Sequence, residues 1–121
     1  MEWKFTEDRP IWQQLSQQIA RQILIGVYPP GSKLPPVREL AAQAGVNPNT
    51  MQRALAELER TGLVYTQRTA GRFVTEDVAV VDSAKQELAH QQVGAFLRRM
   101  ERMGYDREQA AQLVRSWKEE A

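Results

Sequence analysis

The feature that most constrains this chain is a short punctuated stretch, Gly45-Val46-Asn47-Pro48, set between two amphipathic segments. An Asn side chain accepts hydrogen bonds from the unpaired amides at a helix start. Pro at the first helical position lacks only an N–H that had no partner there. The stretch therefore predicts that one helix stops at Gly45 and another starts at Pro48. The first fits residues 37–44, with Val37, Leu40 and Ala41 inward. The second runs from 48 to about 61, with Met51, Ala54, Leu55 and Leu58 inward and Gly62 as terminator. Two helices joined by three or four residues around a Gly match a helix-turn-helix.

The flanking segments extend this motif. Ile11, Leu15, Ile19 and Ile23 recur every four residues, with Trp12, Ala20, Leu24 and Val27 beside them, and predict a helix from about 10 to 25. Asp8 stands where it can cap that helix, and Gln13, Gln14, Gln17, Gln18 and Gln22 read as its polar outer face. Downstream of Gly62, residues 63–66 and 72–75 are β-prone runs around a hairpin tip at 67–71. A strand pair directly behind a helix-turn-helix is the order of a winged helix. A long helix follows over about 78–103, in which Gly94 marks a close crossing or a bend, and Gly104 ends it. Asp106 and Gln109 form a capping pair for a last helix over 107–120, with Ala110, Leu113, Val114 and Trp117 as its apolar face. The expected fold is mostly α with a small β-hairpin. An N-terminal winged helix-turn-helix DNA-binding domain (1–76) precedes a two-helix C-terminal dimerisation segment (77–121).

Composition removes other classes. With no Cys and a single His, His90, followed by two glutamines, there is no disulfide scaffold, thiolate site or Cys nucleophile, and no His-based triad or metal cluster is expected. No nucleophile–base pair or phosphate cradle is present, so the chain reads as a binder, not an enzyme, and as needing no cofactor. No apolar run spans a membrane and the N-terminus does not read as a signal peptide, which makes the cytoplasm the expected location. The formal net charge of +1 conceals an asymmetry. Residues 33–72 hold six basic side chains against three acidic ones, and residues 77–121 hold seven against eight.

A helix-turn-helix reads duplex DNA with the start of its second helix. Here that start is Asn47-Pro48-Asn49-Thr50, followed by Gln52 and Arg53. Asn and Gln can bond adenine bidentately, and Thr can meet a phosphate or a thymine methyl. Arg38, in the first turn of the preceding helix, and Lys33 before it are further candidates. Arg68, Gly71 and Arg72 are placed for phosphate or minor-groove contact at the hairpin. Arg53 has an alternative use as an ion-pair partner of Glu57, four residues on. Glu39 suits the helix dipole, and Trp3 and Trp12 read as packing residues.

These residues resemble a known family. The run Gly31-Ser32-Lys33-Leu34-Pro35-Pro36-Val37-Arg38-Glu39-Leu40-Ala41, then Gly45 through Leu55, Leu58, Gly62-Leu63-Val64 and Gly71-Arg72-Phe73-Val74, looks like the GntR family of bacterial transcription regulators. The Asn47-Pro48-Asn49-Thr50 form with a short tail is similar to its YtrA subfamily. The resemblance implies a dimeric repressor, often of an operon encoding an ATP-binding-cassette transporter. It also implies that Arg38 contacts DNA from the helix before the recognition helix, that Asn49, Thr50 and Gln52 lie among the recognition-helix contacts, and that Gly71 lies in the wing tip. There are departures. Pro36 replaces a usual serine and removes a side-chain cap, Pro48 and Gln52 stand where many members carry arginines, and Thr69-Ala70 replaces a glycine-rich tip.

The tail bears on assembly. Leu88, Phe96, Leu97, Met100, Met103, Leu113, Val114 and Trp117 form apolar stripes that a lone helix pair cannot fully bury. Docking on a second copy solves this, most simply with twofold symmetry. The same residues could instead line a pocket for a small-molecule effector. A winged helix that binds only protein is a third reading.

Overall fold

The computed structural model describes residues 2–120. Its elements are α1 (Ile11–Leu24), α2 (Val37–Ala44), α3 (Pro48–Arg60), β1 (Val64–Gln67), β2 (Gly71–Val74), α4 (Val78–Arg102) and α5 (Arg107–Ser116). The fold is mostly helical with one antiparallel hairpin. The chain divides into two compact units, one ending at Lys85 and the other beginning at Gln86.

In the first unit α3 is the central element, and α1, α2 and β1 all pack on it. Its inward side chains Met51, Ala54, Leu55 and Leu58 are buried, as are Leu15 and Ile19 of α1, Leu40 of α2 and Val64 and Val74 of the hairpin. Burying each large aliphatic side chain is worth about 1.5–3 kcal/mol, so this cluster fixes how α3 is presented. The turn before it works as the sequence indicates. Gly45 ends α2 with φ +69, a left-handed conformation that favours glycine. The Asn47 side chain then accepts from the Asn49 amide at 2.7 Å, with Pro48 as the first residue of the helix.

The N-terminal region departs from the sequence reading in two ways. Asp8 does not cap α1, which begins behind Pro10 with no side-chain cap; its carboxylate instead accepts from the Thr6 hydroxyl. Gln14 is not on an outer face but is only 3% exposed. Its amide nitrogen donates to the carbonyls of Thr6 and Arg9, both at 2.8 Å, and its oxygen accepts from the Thr6 amide at 2.7 Å. Gln18 holds Lys4 the same way, donating to its carbonyl at 2.7 Å and accepting from its amide at 3.2 Å. A primary amide matches a peptide group in donors and acceptors, so these two glutamines pin the arm before α1 as a neighbouring strand would. Ile11, at the start of the apolar stripe, is 37% exposed.

The hairpin pairs Val64 with Val74, Tyr65 with Phe73, Thr66 with Arg72 and Gln67 with Gly71. The segment before α2 adds a third edge. The Leu34 amide donates to the Arg72 carbonyl and the Val74 amide to the Ser32 carbonyl, each at 2.9 Å, which sets Lys33 opposite Phe73. The flanking Pro and Gly residues hide this pairing from a periodicity reading.

α4 contains no fully buried residue. At Gly94 an added Cβ would meet only the Arg98 side chain. No other element among the described residues crosses there. α5 starts with the expected reciprocal cap, Gln109 amide to Asp106 carboxylate at 2.8 Å and Asp106 amide to Gln109 oxygen at 2.9 Å. It stops at Ser116, short of the expected end, and Trp117 is already extended. Glu119 and Glu120 would sit at the negative end of the helix dipole, which disfavours prolonging it.

Candidate nucleic-acid interface

The outward side of α3 follows from its inward side. With Met51, Ala54, Leu55 and Leu58 committed to the core, Asn49, Gln52 and Arg53 project together on the exposed face, and Thr50 is half-buried beside them. Asn47 is exposed, but its oxygen serves the helix as cap, leaving its amide nitrogen as the group free to donate outward. Arg38 is exposed in the first turn of α2. Lys33 and Arg68 are exposed on the wing.

Two of the basic candidates for DNA contact, Arg53 and Arg72, have partners within the fold. Arg53 lies over the indole ring of Trp12, 4.3 Å from its centroid. It does not pair with Glu57. That carboxylate takes Arg60 instead, through Nε at 3.0 Å and Nη2 at 2.5 Å. The hydrogen bond and charge of Arg60 hold Glu57 below the ordinary glutamate pKa. Arg72 donates through Nε to Glu59 at 2.7 Å, and Thr66 donates to the same carboxylate oxygen. Partial burial pushes the Glu59 pKa up, but the two hydrogen bonds and the Arg72 charge outweigh it and leave it lowered.

Gly71 combines a φ of +113 with a close neighbour. A Cβ built on it would stand 2.8 Å from Lys33 Cε, so the lysine stem runs across the wing where a side chain would otherwise be. At the tip Thr69 adopts φ +69, a conformation uncommon for a non-glycine residue. The structure thus brings Lys33 to Gly71 and groups Asn49, Gln52 and Arg53. Trp12, Glu59 and Thr66 are site neighbours that periodicity does not reveal. Only the paired register of Thr66 and Arg72, once the hairpin is drawn, hints that one group could bond both.

In the second unit Leu88, Phe96, Leu97 and Met100 are half-buried, while Met103, Leu113, Val114 and Trp117 are exposed. Among the described residues there is no group of three or more His, Cys, Asp or Glu that could hold a metal. No helix is long and apolar enough to cross a membrane.

A capped recognition helix on a helix-turn-helix, with a hairpin behind it and polar and basic side chains facing out, defines the winged-helix class of DNA-binding proteins. Residues 12–74 match the family described as bacterial regulatory proteins, gntR family, and the chain belongs to that family. It is 36% identical over 119 residues to the uncharacterised regulator YhcF of Bacillus subtilis, covering 98% of each chain. It is 46% identical over 68 residues to the repressor YtrA of the same organism, covering 56% of this chain and 52% of that one. Among solved structures, a GntR family regulator from Listeria monocytogenes superposes with a TM-score of 0.79 and 37% identity, over 94% of this chain and all of that one. The DNA-binding domain of AraR in complex with operator ORX1 gives 0.54 and 30%, over 62% and 92%. The protein is a YtrA-like GntR-type DNA-binding transcription regulator, and its relatives are regulators, not enzymes.

Proposed function

We propose that the chain acts as a homodimeric repressor that binds a pseudo-palindromic operator, placing α3 of each subunit in the major groove. The observation that carries this is the face of Asn49, Gln52 and Arg53 on a helix whose start is fixed by the Asn47 cap and whose back is locked in the core. The AraR domain, similar in fold, has been solved on an operator, and YtrA carries the name of a repressor. Phosphate contacts come from Arg38 and Lys33, with Arg68 at the wing tip. Asn47, Asn49, Thr50, Gln52 and Arg53 face the bases, and Gly71 gives the Lys33 stem room to cross the wing. Such a protein works in the cytoplasm, where the duplex is.

Dimerisation is supported by the second unit, where Met103 is 64%, Val114 60% and Trp117 70% exposed in the single chain. A second copy would cover them, with Leu88, Phe96, Leu97, Met100 and Leu113 in the same seam. Residues 77–121 then dimerise and residues 1–76 read DNA. Twofold symmetry sets the two recognition helices roughly 34 Å apart, one helical turn of DNA. By the resemblance to the YtrA subfamily, whose members often repress operons for ATP-binding-cassette transporters, such an operon is the target to test first. Selection from a randomised duplex pool tests the reading. The expected result is an enriched sequence with inverted half-sites, bound less tightly by Arg38→Ala. Enrichment of no sequence, or of single unpaired sites, would overturn it.

A further inference from the structure

Glu59 sets a carboxylate beside the surface proposed to face a polyanion. It lies in the last turn of α3, and one of its oxygens accepts from both strands of the wing, from Thr66 on β1 and Arg72 on β2. Thr66 and Arg72 are partners in the hairpin register, on the same face as the buried pair Val64 and Val74. A hairpin with four-residue strands has little stability of its own, and the third edge at Ser32 and Leu34 supports only β2. Here the Val64–Val74 pair roots its base in the core. Glu59 ties it to α3 one rung of that face further out, and beyond that rung lie only Gln67, Gly71 and the turn.

We propose that Glu59 is a positioning residue of the DNA interface: it fastens the wing to the recognition helix and engages Arg72 as an internal partner, so that Lys33 and Arg68 are the wing cations that meet the duplex. The inference rests on the reading that α3 and the wing bind DNA, and it goes beyond that reading by giving an acidic residue a part in it. Lys33 suits the role because its stem crosses Gly71 toward the tip. Arg72 is only 20% exposed at its side chain and already bonded.

The sign of one substitution separates this from plain electrostatics. Removing a negative charge near a polyanion should tighten binding, and freeing Arg72 should add a phosphate contact, steepening the log K against log salt slope by about 0.9 per subunit. Loss of a wing anchor should do the reverse. The test uses the full chain, a duplex enriched by the wild type from a randomised pool, and the variants Glu59→Ala, Thr66→Val and Arg72→Ala, with amide hydrogen exchange on the free proteins. Glu59→Ala and Thr66→Val should each weaken binding about tenfold, on the scale of one lost specific contact. Both should speed exchange in β1 and β2 while Leu15 and Ile19 amides in α1 keep their protection. Arg72→Ala should weaken binding with the salt slope unchanged.

Binding by Glu59→Ala as tight as the wild type or tighter would overturn the proposal. So would a slope shallower by about 0.9 per subunit in Arg72→Ala, the mark of a lost phosphate contact. If Glu59→Ala fails to fold, Thr66→Val decides by the same two readouts, since it deletes one hydroxyl and keeps charge and strand preference. A wild-type chain that enriches no duplex defeats the DNA reading beneath the proposal. Tight duplex binding with unaltered binding in the variants defeats the proposal alone.

Discussion

Arg53 stacks on a residue from another helix instead of pairing along its own. The i,i+4 spacing to Glu57 offers only a few tenths of a kcal/mol, and Glu57 bonds Arg60 instead. A guanidinium over an indole gains about 0.5–1 kcal/mol at an exposed site. Stacking occupies the face of the group and leaves its N–H edge free for hydrogen bonds. Trp12 therefore holds Arg53 in one orientation on the α3 surface. Trp12→Ala should weaken operator binding roughly as far as Arg53→Ala does, and the double variant should be little worse than either. A double-mutant cycle on the dissociation constants checks this, with a coupling of about 0.5–1 kcal/mol expected. Fully additive penalties would mean that the ring and the guanidinium act independently. The sequence showed that Arg53 faces outward, since helical period decides that. It did not show the partner, because the approach of α1 to α3 is set by core packing.

For whole elements, capping chemistry explains why the helix-turn-helix was legible. Gly45, Asn47 and Pro48 each favour a particular backbone conformation, so the end of α2 and the start of α3 follow from three residues. The third edge of the wing and the Gln14 and Gln18 clamps were not legible. Both depend on polar groups that bond backbone distant in sequence, which an apolar-in, polar-out pattern does not register. The Asn47 cap also allows stability and recognition to be separated. Asp caps a helix as well as Asn does and favours its dipole. Asn47→Asp should therefore unfold at the wild-type denaturant midpoint or above while binding the operator less well, because its charge repels phosphate. Asn47→Ala should cost about 1 kcal/mol of stability. If Asn47→Asp destabilises as much as Asn47→Ala, the cap is not what orders the start of α3.

The wing carries a pH dependence of definite sign. The pKa values of Glu57 and Glu59 are lowered in the folded chain, so their contribution to stability is complete above the ordinary glutamate value of about 4.3. It is lost as pH falls through the lowered values. Glu57 pairs within α3 with an Arg60 that is 71% exposed, a surface pair of little worth, whereas the Arg72 that Glu59 holds is 20% exposed and lies on the wing. The acid response should therefore centre on Glu59. On acidification, amides of β1 and β2 should lose protection before those of the α1–α3 core, and Glu59→Gln should remove that early step. Simultaneous loss in both regions in the wild type would show that the wing has no separate acid step.

Across the whole molecule, the formal charge of +1 averages a basic reading head with a slightly acidic tail. Under the proposed reading, each part alone leaves something unmet. A single winged helix presents one short base-reading face, and the tail leaves Leu113 42% and Trp117 70% exposed. The proposed association would address both, since it would cover the tail and set two heads on one duplex. The two consequences should therefore fail together. In a monomer, exposed side chains like these are nearly neutral on substitution, within about 0.5 kcal/mol. Leu113→Ala with Trp117→Ala should leave the thermal unfolding of the first unit unchanged, yet shift sedimentation toward the monomer. Operator affinity should fall with it. If each wild-type subunit neutralises three or four phosphates, the dimer's salt slope is about −6, and a variant bound through one half-site should show about half of that. A double variant that sediments as the wild type does would place the seam elsewhere. A monomer that keeps the full affinity and slope would show that recognition does not need the dimer, and the symmetry argument would fall with it.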